Sequence, residues 1–380
     1  MEAKPKILIV DDEPFNIDYL EQELEDLDCQ INSAEDGQAA LQRVKADLPD
    51  VILLDIMMPQ MDGFQVLEHL KSDKTFREIP VIVISALDDI KSVIRGIELG
   101  AEDYLSKPFD PVLLKARIGA CLERKQLRDR EVRYLRQVEE EMHLAWSVQS
   151  GLLPSTLPEL DGWQLAATLK PSRQTSGDFY DIIPLPDGQI GILVADVADK
   201  GMGAALYMVL SRTLIRTYAF QYHPEPDRVL EATNRRLLED YGADQFVTVF
   251  YGILNPVSGA LRYCNAGHNP PFLLGGTEKE VIQKLAKTGM ALGILEEESW
   301  KQGTILVNPG DTLVLYTDGI TEAQNEQQVF FDDERLVESV KSNLEQPVHA
   351  LQEAMLEEVQ SFVGDASQTD DMTMVVLSRI

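Results

Sequence analysis

Short, unbroken apolar runs punctuate residues 1–120. KILIV spans 6–10, VILLD 51–55 and VIVIS 81–85, with a weaker DYLS at 103–106. Between them lie the helical stretches Pro14–Leu27, Gly37–Lys45, Gly63–Leu70 and Asp88–Leu99. Strands that are apolar on both faces and separated by helices predict a parallel sheet covered on both sides. The region 5–122 therefore reads as a doubly wound α/β domain, in which functional groups gather at the carboxyl ends of the strands.

The texture then changes. Residues 112–153 carry no proline and are rich in Glu, Arg, Leu and Gln, which predicts one long helix of about 60 Å at 1.5 Å per residue. Leu135, Val138, Met142, Ala145, Gln149 and Leu152 alternate at spacings of three and four, a short heptad seam with a polar layer at Gln149. Upstream the seam fails at Arg128 and Glu131, so its register must shift there. A dimeric coiled coil and a single exposed linker helix both fit. Leu153-Pro154 ends the helix.

From 160 to 380 the pattern is one of shorter strands and frequent turns. QIGILVADV (189–197), FVTVFYGIL (246–254), TLVLYTDG (312–319) and MTMVVLS (372–378) read as strands, with helices near 203–220, 226–240, 332–343 and 347–363. This predicts a mixed α+β domain.

Composition narrows the function. The formal net charge of -30 makes phosphate backbones and anionic lipid poor partners, so neither nucleic acid nor membrane is expected. Cys29, Cys121 and Cys264 stand far apart with no CxxC pair, which fits a reduced, cytoplasmic setting and gives no zinc site. No apolar run approaches the length of a membrane span.

The first chemistry lies at the strand ends of the α/β domain. Strand one ends in Asp11-Asp12, strand three in Asp55, strand four in Ser85 and strand five in Lys107. A parallel sheet brings these ends to one edge. Three carboxylates together repel unless a hard divalent cation such as Mg²⁺ sits among them. Asp55 could then attack phosphorus to form an acyl phosphate. Lys107 and the Ser85 hydroxyl could receive its charge. A single strand-end aspartate is as readily a helix cap; the ordered set is not.

VDDEP, LLDIMMPQMDG, ISA and YLSKPF resemble the receiver domains of two-component response regulators. The resemblance implies Asp55 as phosphoacceptor, a sensor histidine kinase as phosphodonor, and Mg²⁺ held by Asp11, Asp12, Asp55 and the Met57 carbonyl. It implies Ser85 and Tyr104 as a switch pair, Lys107 as the salt-bridging lysine, and a cis Lys107–Pro108 bond.

The second chemistry is a set of acidic motifs: SGDFYD (176–181), ADVADKG (195–201), YTDG (316–319) and TDDM (369–372). Each adjoins a hydrophobic run and a turn residue, so each is expected at a strand end. YTDG alone would read as a hairpin turn. An oxygen-only donor set points to Mg²⁺ or Mn²⁺. Two such ions support hydrolysis of a phosphate ester without a protein nucleophile. GMGAAL lacks the third glycine of a dinucleotide loop, and no GxxxxGK[ST] or GxSxG motif is present.

Together with AWSVQSGLLP, NAGHNPP and ALGI, these motifs resemble the bacterial branch of the metal-dependent type 2C serine/threonine protein phosphatases, which regulates sigma factors by partner-switching. The resemblance covers about 140–380. It implies a β-sandwich flanked by helices and two Mn²⁺ or Mg²⁺ ions held by Asp178, Asp196, the Val197 carbonyl, Asp318 and Asp370, with Asp181 and Asp371 as near candidates. It implies a phosphorylated anti-sigma-factor antagonist as substrate. The branch commonly reads Asp-Val-Ser-Gly-x-Gly in the second motif, and here Asp199 stands at the first glycine. Arg173 could bind substrate phosphate or be a plain surface arginine, and His268 reads as a structural loop histidine. The expectation is a dimeric, receiver-controlled phosphatase, against the alternative of a weak phosphatase fold that sequesters a partner.

Overall fold

The computed structural model describes residues 4–86, 90–108, 110–275 and 280–380. Asp88, the expected start of a helix, and Phe109 of YLSKPF lie outside these residues. The chain divides into two compact units, 1–138 and 139–380.

In the first unit β1 (Lys6–Val10), β2 (Gln30–Ala34), β3 (Val51–Asp55), β4 (Val81–Ala86) and β5 (Asp103–Lys107) form one sheet in the order β2-β1-β3-β4-β5, with every pairing parallel. The helices are α1 (Pro14–Leu24), α2 (Gly37–Ala46), α3 (Gly63–Ser72) and α4 (Ile90–Glu98). Side chains alternate across the sheet. Leu8, Val10, Ile52 and Leu54 pack with Val44 and Leu67 of α2 and α3. Ile7, Ile9, Val51 and Leu53 pack with Leu20 of α1 and with Leu114 and Ile118 of α5 (Pro111–Ser150). Residue by residue, this is the two-sided burial that the apolar runs require. β2 has no such run because it lies at the edge and is mostly half-exposed. The Lys107–Pro108 peptide is cis.

α5 is one helix of 40 residues that passes the division at 138. Gln149 does not sit in a polar layer between two helices. It is 3% exposed and bonds at both ends with the backbone of Ser176, within the second unit. The amide at this heptad position is therefore spent within its own domain.

In the second unit β6 (Trp163–Lys170), β7 (Phe179–Pro184), β8 (Ile190–Val197), β9 (Val247–Leu254), β10 (Ala260–Ala266), β11 (Phe272–Gly275), β12 (Glu280–Lys284), β13 (Gly303–Leu306), β14 (Thr312–Tyr316) and β15 (Met372–Arg379) form two antiparallel sheets. Their orders are β13-β10-β9-β8-β7 and β12-β11-β14-β15-β6. Ile192, Val194, Phe250, Leu315, Val375 and Leu377 fill the space between them. Helices α6 (Met202–Gln221) and α7 (Pro226–Tyr241) cover the outer face of the first sheet through Tyr207, Met208, Ile215, Val229 and Leu237. α8 (Asp318–Thr321) follows β14, while α9 (Asp332–Asn343) and α10 (Val348–Val363) cover the second sheet through Leu336, Val340, Met355 and Val359. The result is four layers, helix–sheet–sheet–helix. Among the described residues no helix is long and apolar enough to cross a membrane.

Candidate active site and receiver switch

At the carboxyl edge of the parallel sheet, Asp11, Asp12 and Asp55 offer oxygens that all lie within 4.8 Å of one another. Lys107 Nζ stands between two of them, 2.8 Å from Asp11 Oδ2 and 2.7 Å from Asp55 Oδ1. The second oxygen of Asp11 accepts from Glu13 N at 3.0 Å and Asn16 Nδ2 at 2.9 Å. Asp55 Oδ2 accepts from Met57 N at 3.0 Å. Burial raises the Asp55 carboxyl above its ordinary value, and the Lys107 bond opposes the rise without cancelling it. Burial works against the Lys107 charge too, but its bonds to Asp11 and Asp55 outweigh this and hold it protonated. Three carboxylates around one ammonium leave a surplus of negative charge on oxygen donors, and that set fits a hard divalent cation. Ser85 lies buried at the end of β4. Tyr104, on β5, is 37% exposed, with the Arg117 guanidinium 5.5 Å from its ring centre.

The second site forms where the facing ends of the two antiparallel sheets meet. Asp178 immediately precedes β7, whose first residue pairs with Ala195, so Asp196 near the end of β8 lies close by. Asp318 follows β14 and Asp370 precedes β15, and Tyr316 pairs with Met374. Each sheet supplies two carboxylates. Gly319 makes the approach within the second pair possible, since a Cβ there would stand 1.9 Å from the Asp371 carbonyl. Gly177 does the same beside the Val197 carbonyl, 3.2 Å from its would-be Cβ.

Burial, and then Asp318, push the Asp196 carboxyl up to about 7. Burial and Asp196 raise Asp178 well above the carboxylate range, and burial and Asp370 raise Asp318. Carboxyls that resist ionisation because they crowd each other form a donor set suited to divalent cations, which would relieve the repulsion. Asp178, Asp196, Asp318 and Asp370, with the Val197 carbonyl, are the groups that could hold them.

The near candidates have other work. Asp371 is saturated. One oxygen accepts from Ser172 N and Oγ at 2.7 and 2.9 Å, and the other from Ser176 Oγ and Gly177 N, both at 2.8 Å. It therefore shapes the loop that presents Asp178. Asp181 is fully buried and lies on the α6 side of β7, three residues from Asp178 and so on the opposite face of the strand. Arg212 and Arg216 of α6 both reach its Oδ2 at 2.8 Å. Its oxygens point away from the cluster and are already matched by cations.

Two contributors escaped the sequence reading. Thr317, fully buried, donates from Oγ1 to Asp178 Oδ2 at 2.6 Å and accepts from Thr373 N at 2.9 Å. Lys200 lies 2.8 Å from Asp370 Oδ2 and donates to Thr369 O at 2.7 Å. Both sit inside quoted motifs, so adjacency was the available signal, but a short polar side chain beside an aspartate is too common to decide anything. Asp199 takes φ +71°, the left-handed region where glycine is at ease and aspartate is tolerated. His268 is buried, with Nδ1 2.8 Å from Thr248 Oγ1, and burial pushes its pKa down to about 3. It is a neutral structural imidazole. Arg173 is exposed.

Comparison with known proteins places both units in known families. Residues 7–119 match the response regulator receiver domain, and residues 186–380 match stage II sporulation protein E (SpoIIE). The chain belongs to the SpoIIE family. It is 30% identical over 250 residues to the phosphoserine phosphatase RsbU of Bacillus subtilis, covering 64% of this chain and 71% of RsbU. It is 31% identical over 265 residues to protein IcfG of Synechocystis, covering 63% of this chain but only 41% of IcfG. Among solved structures, the SiaA-PP2C domain of Pseudomonas aeruginosa superposes with a TM-score of 0.56 at 21% identity, over 64% of this chain and 97% of that domain, a likeness of fold. The SpoIIE-type phosphatase domain here is thus joined to a receiver domain.

Proposed function

We propose that this protein is a receiver-controlled serine/threonine protein phosphatase. The observation that carries the reading is the convergence of Asp178, Asp196, Asp318 and Asp370 from the facing ends of two sheets, three of them with raised pKa values. When bound there, two Mn²⁺ or Mg²⁺ ions supply a water of lowered pKa and counter-charge for a phosphate ester. The chain's own residues prepare that site. Thr317 fixes the rotamer of Asp178, and Asp371 holds the 172–177 loop. The four carboxylates serve as metal ligands in this reading, so attack by water is the chemistry the site favours.

In this reading Asp55 accepts phosphate from a sensor histidine kinase in the cytoplasm, with Mg²⁺ held by Asp11, Asp12, Asp55 and the Met57 carbonyl. Ser85, Tyr104 and Lys107 respond to the new charge. The family and the RsbU relationship support a phosphorylated anti-sigma-factor antagonist as substrate. A homodimer through α5 would use the exposed Leu127, Tyr134 and Leu135 above the part of the helix that the second unit occupies.

Hydrolysis of para-nitrophenyl phosphate and of a phosphoserine peptide with Mn²⁺, compared between wild type and Asp318→Asn, tests the enzyme. Equal rates would sink it. Control by the receiver is tested with an acyl-phosphate mimic such as beryllofluoride. The mimic should change the rate of wild type and leave Asp55→Ala unmoved.

A further inference from the structure

The outer face of the second unit carries an apolar patch that the catalytic chemistry does not use. Leu206, Tyr241, Phe246, Ile294 and Leu295 are 64, 51, 42, 37 and 51% exposed. They come from four separate stretches of chain and are held together by a common scaffold. Tyr207 packs edge-on against Tyr241, with ring centres 5.4 Å apart. A Cβ on Gly293 would stand 2.6 Å from Tyr207 Oη and 2.7 Å from Gln245 O, so the loop before Ile294 lies directly on both. Leu206 is one turn along α6 from Gly203, on the face that meets Gln245.

The loop is built rather than incidental. Asn234, 1% exposed, spends both ends of its amide on it, accepting from Gly293 N at 2.8 Å and donating to Leu295 O at 2.8 Å. Leu292 exchanges backbone hydrogen bonds with Val247. A buried amide committed in this way fixes Ile294 and Leu295 pointing outward, where they gain nothing for the fold.

The patch borders the catalytic cluster. Ala198 N, two residues beyond Asp196, donates to Phe246 O at 3.0 Å, and α6 begins directly after the same loop. Its rim is acidic, with exposed Asp244, Glu296 and Glu297. A chain of net charge -30 repels a dianionic phosphate, so long-range attraction cannot recruit the substrate unless the substrate carries its own positive flank.

We infer that this patch is the docking surface for the polypeptide around the substrate's phosphoserine, and that it selects segments with apolar residues next to the phosphoserine and Lys or Arg beyond them. The inference rests on the phosphatase reading above. Apolar contact supplies affinity, and the acidic rim supplies direction and discriminates against acidic flanks.

The test compares two phosphoserine peptides of equal length, one with Leu, Ile and Lys flanks and one with Ser, Asp and Glu flanks, alongside para-nitrophenyl phosphate. The Mn²⁺-loaded full chain should show a kcat/KM at least tenfold higher for the first peptide. Leu206→Asp combined with Ile294→Asp should abolish the preference through KM, with para-nitrophenyl phosphate hydrolysis unchanged and the circular dichroism spectrum that of wild type. Equal hydrolysis of both peptides by wild type, or a variant that loses peptide and para-nitrophenyl phosphate activity in proportion, would overturn the docking surface. Loss of para-nitrophenyl phosphate hydrolysis in wild type itself would overturn the phosphatase reading first.

Discussion

Lys200 Nζ lies 2.8 Å from Asp370 Oδ2, so the cluster holds one built-in cation against one of its four carboxylates. A divalent ion drawn to Asp370 meets that ammonium nearby. Lys200→Met should therefore tighten Mn²⁺ binding by a few-fold, the scale of a partly exposed ion pair worth about 1 kcal/mol. Calorimetric titration measures it, and unchanged or weaker binding would show that Lys200 does not compete.

Thr317, fully buried, donates from Oγ1 to Asp178 Oδ2 at 2.6 Å. Thr317→Val keeps the shape and removes the donor. The loss of a hydrogen bond to a buried carboxyl should cost about 1–3 kcal/mol of stability in the metal-free protein and lower phosphatase activity by misplacing Asp178. Urea unfolding and para-nitrophenyl phosphate assays report the two effects, and a variant as active and stable as wild type refutes the role.

Asp181→Asn separates a structural aspartate from a ligand. It leaves Arg212 and Arg216 without their carboxylate, and breaking a buried pair of this kind costs about 3–5 kcal/mol. Mn²⁺ affinity of the folded variant should match that of wild type. A large fall in affinity with intact stability would return Asp181 to the ligand set.

The pKa of His268, lowered to about 3, gives a pH dependence of known sign. In the unfolded chain an imidazole titrates near its ordinary value of 6.5, while in the folded protein it stays neutral. Between those values the unfolded state binds more protons, so this group's contribution to stability falls as pH drops below about 6.5, by at most about 1.4 kcal/mol per pH unit. Asp196, raised to about 7, acts in the opposite sense in metal-free protein, because its carboxyl keeps a proton that the unfolded chain has released. The two are separated by difference. Wild type should lose stability relative to His268→Gln on going from pH 6.5 to 4.5, and parallel curves would contradict the assignment.

Much of this was readable in the chain itself. Strands β1, β3, β4, β5, β8, β9, β14 and β15 announced themselves by apolar runs, and Asp11, Asp55, Asp196 and Asp318 fell where such runs ended. What stayed hidden follows from physics. β2 is a half-exposed edge, and β6, β7, β10 and β13 mix polar with apolar residues, so periodicity had little to register. Asp181 looked like a ligand because it shares a motif with Asp178, but three residues along a strand reverse the face. Gln149 fitted a heptad because its neighbours do, and only the folded chain shows Ser176 waiting for it. Asp199 was visible as a departure from the family's glycine, yet the left-handed backbone it has to adopt, with φ +71°, is a property of the fold.

The division of the four carboxylates between two sheets has a further consequence. Asp196 and Asp318 are separated by the whole of α6, α7 and six strands, so nothing local keeps them together. Ions bridging them would act as a rivet through the sandwich, closing a very long loop of chain. Chelators should then lower the melting temperature as well as the rate, and any strain that slides one sheet over the other would switch the enzyme off long before the protein unfolds.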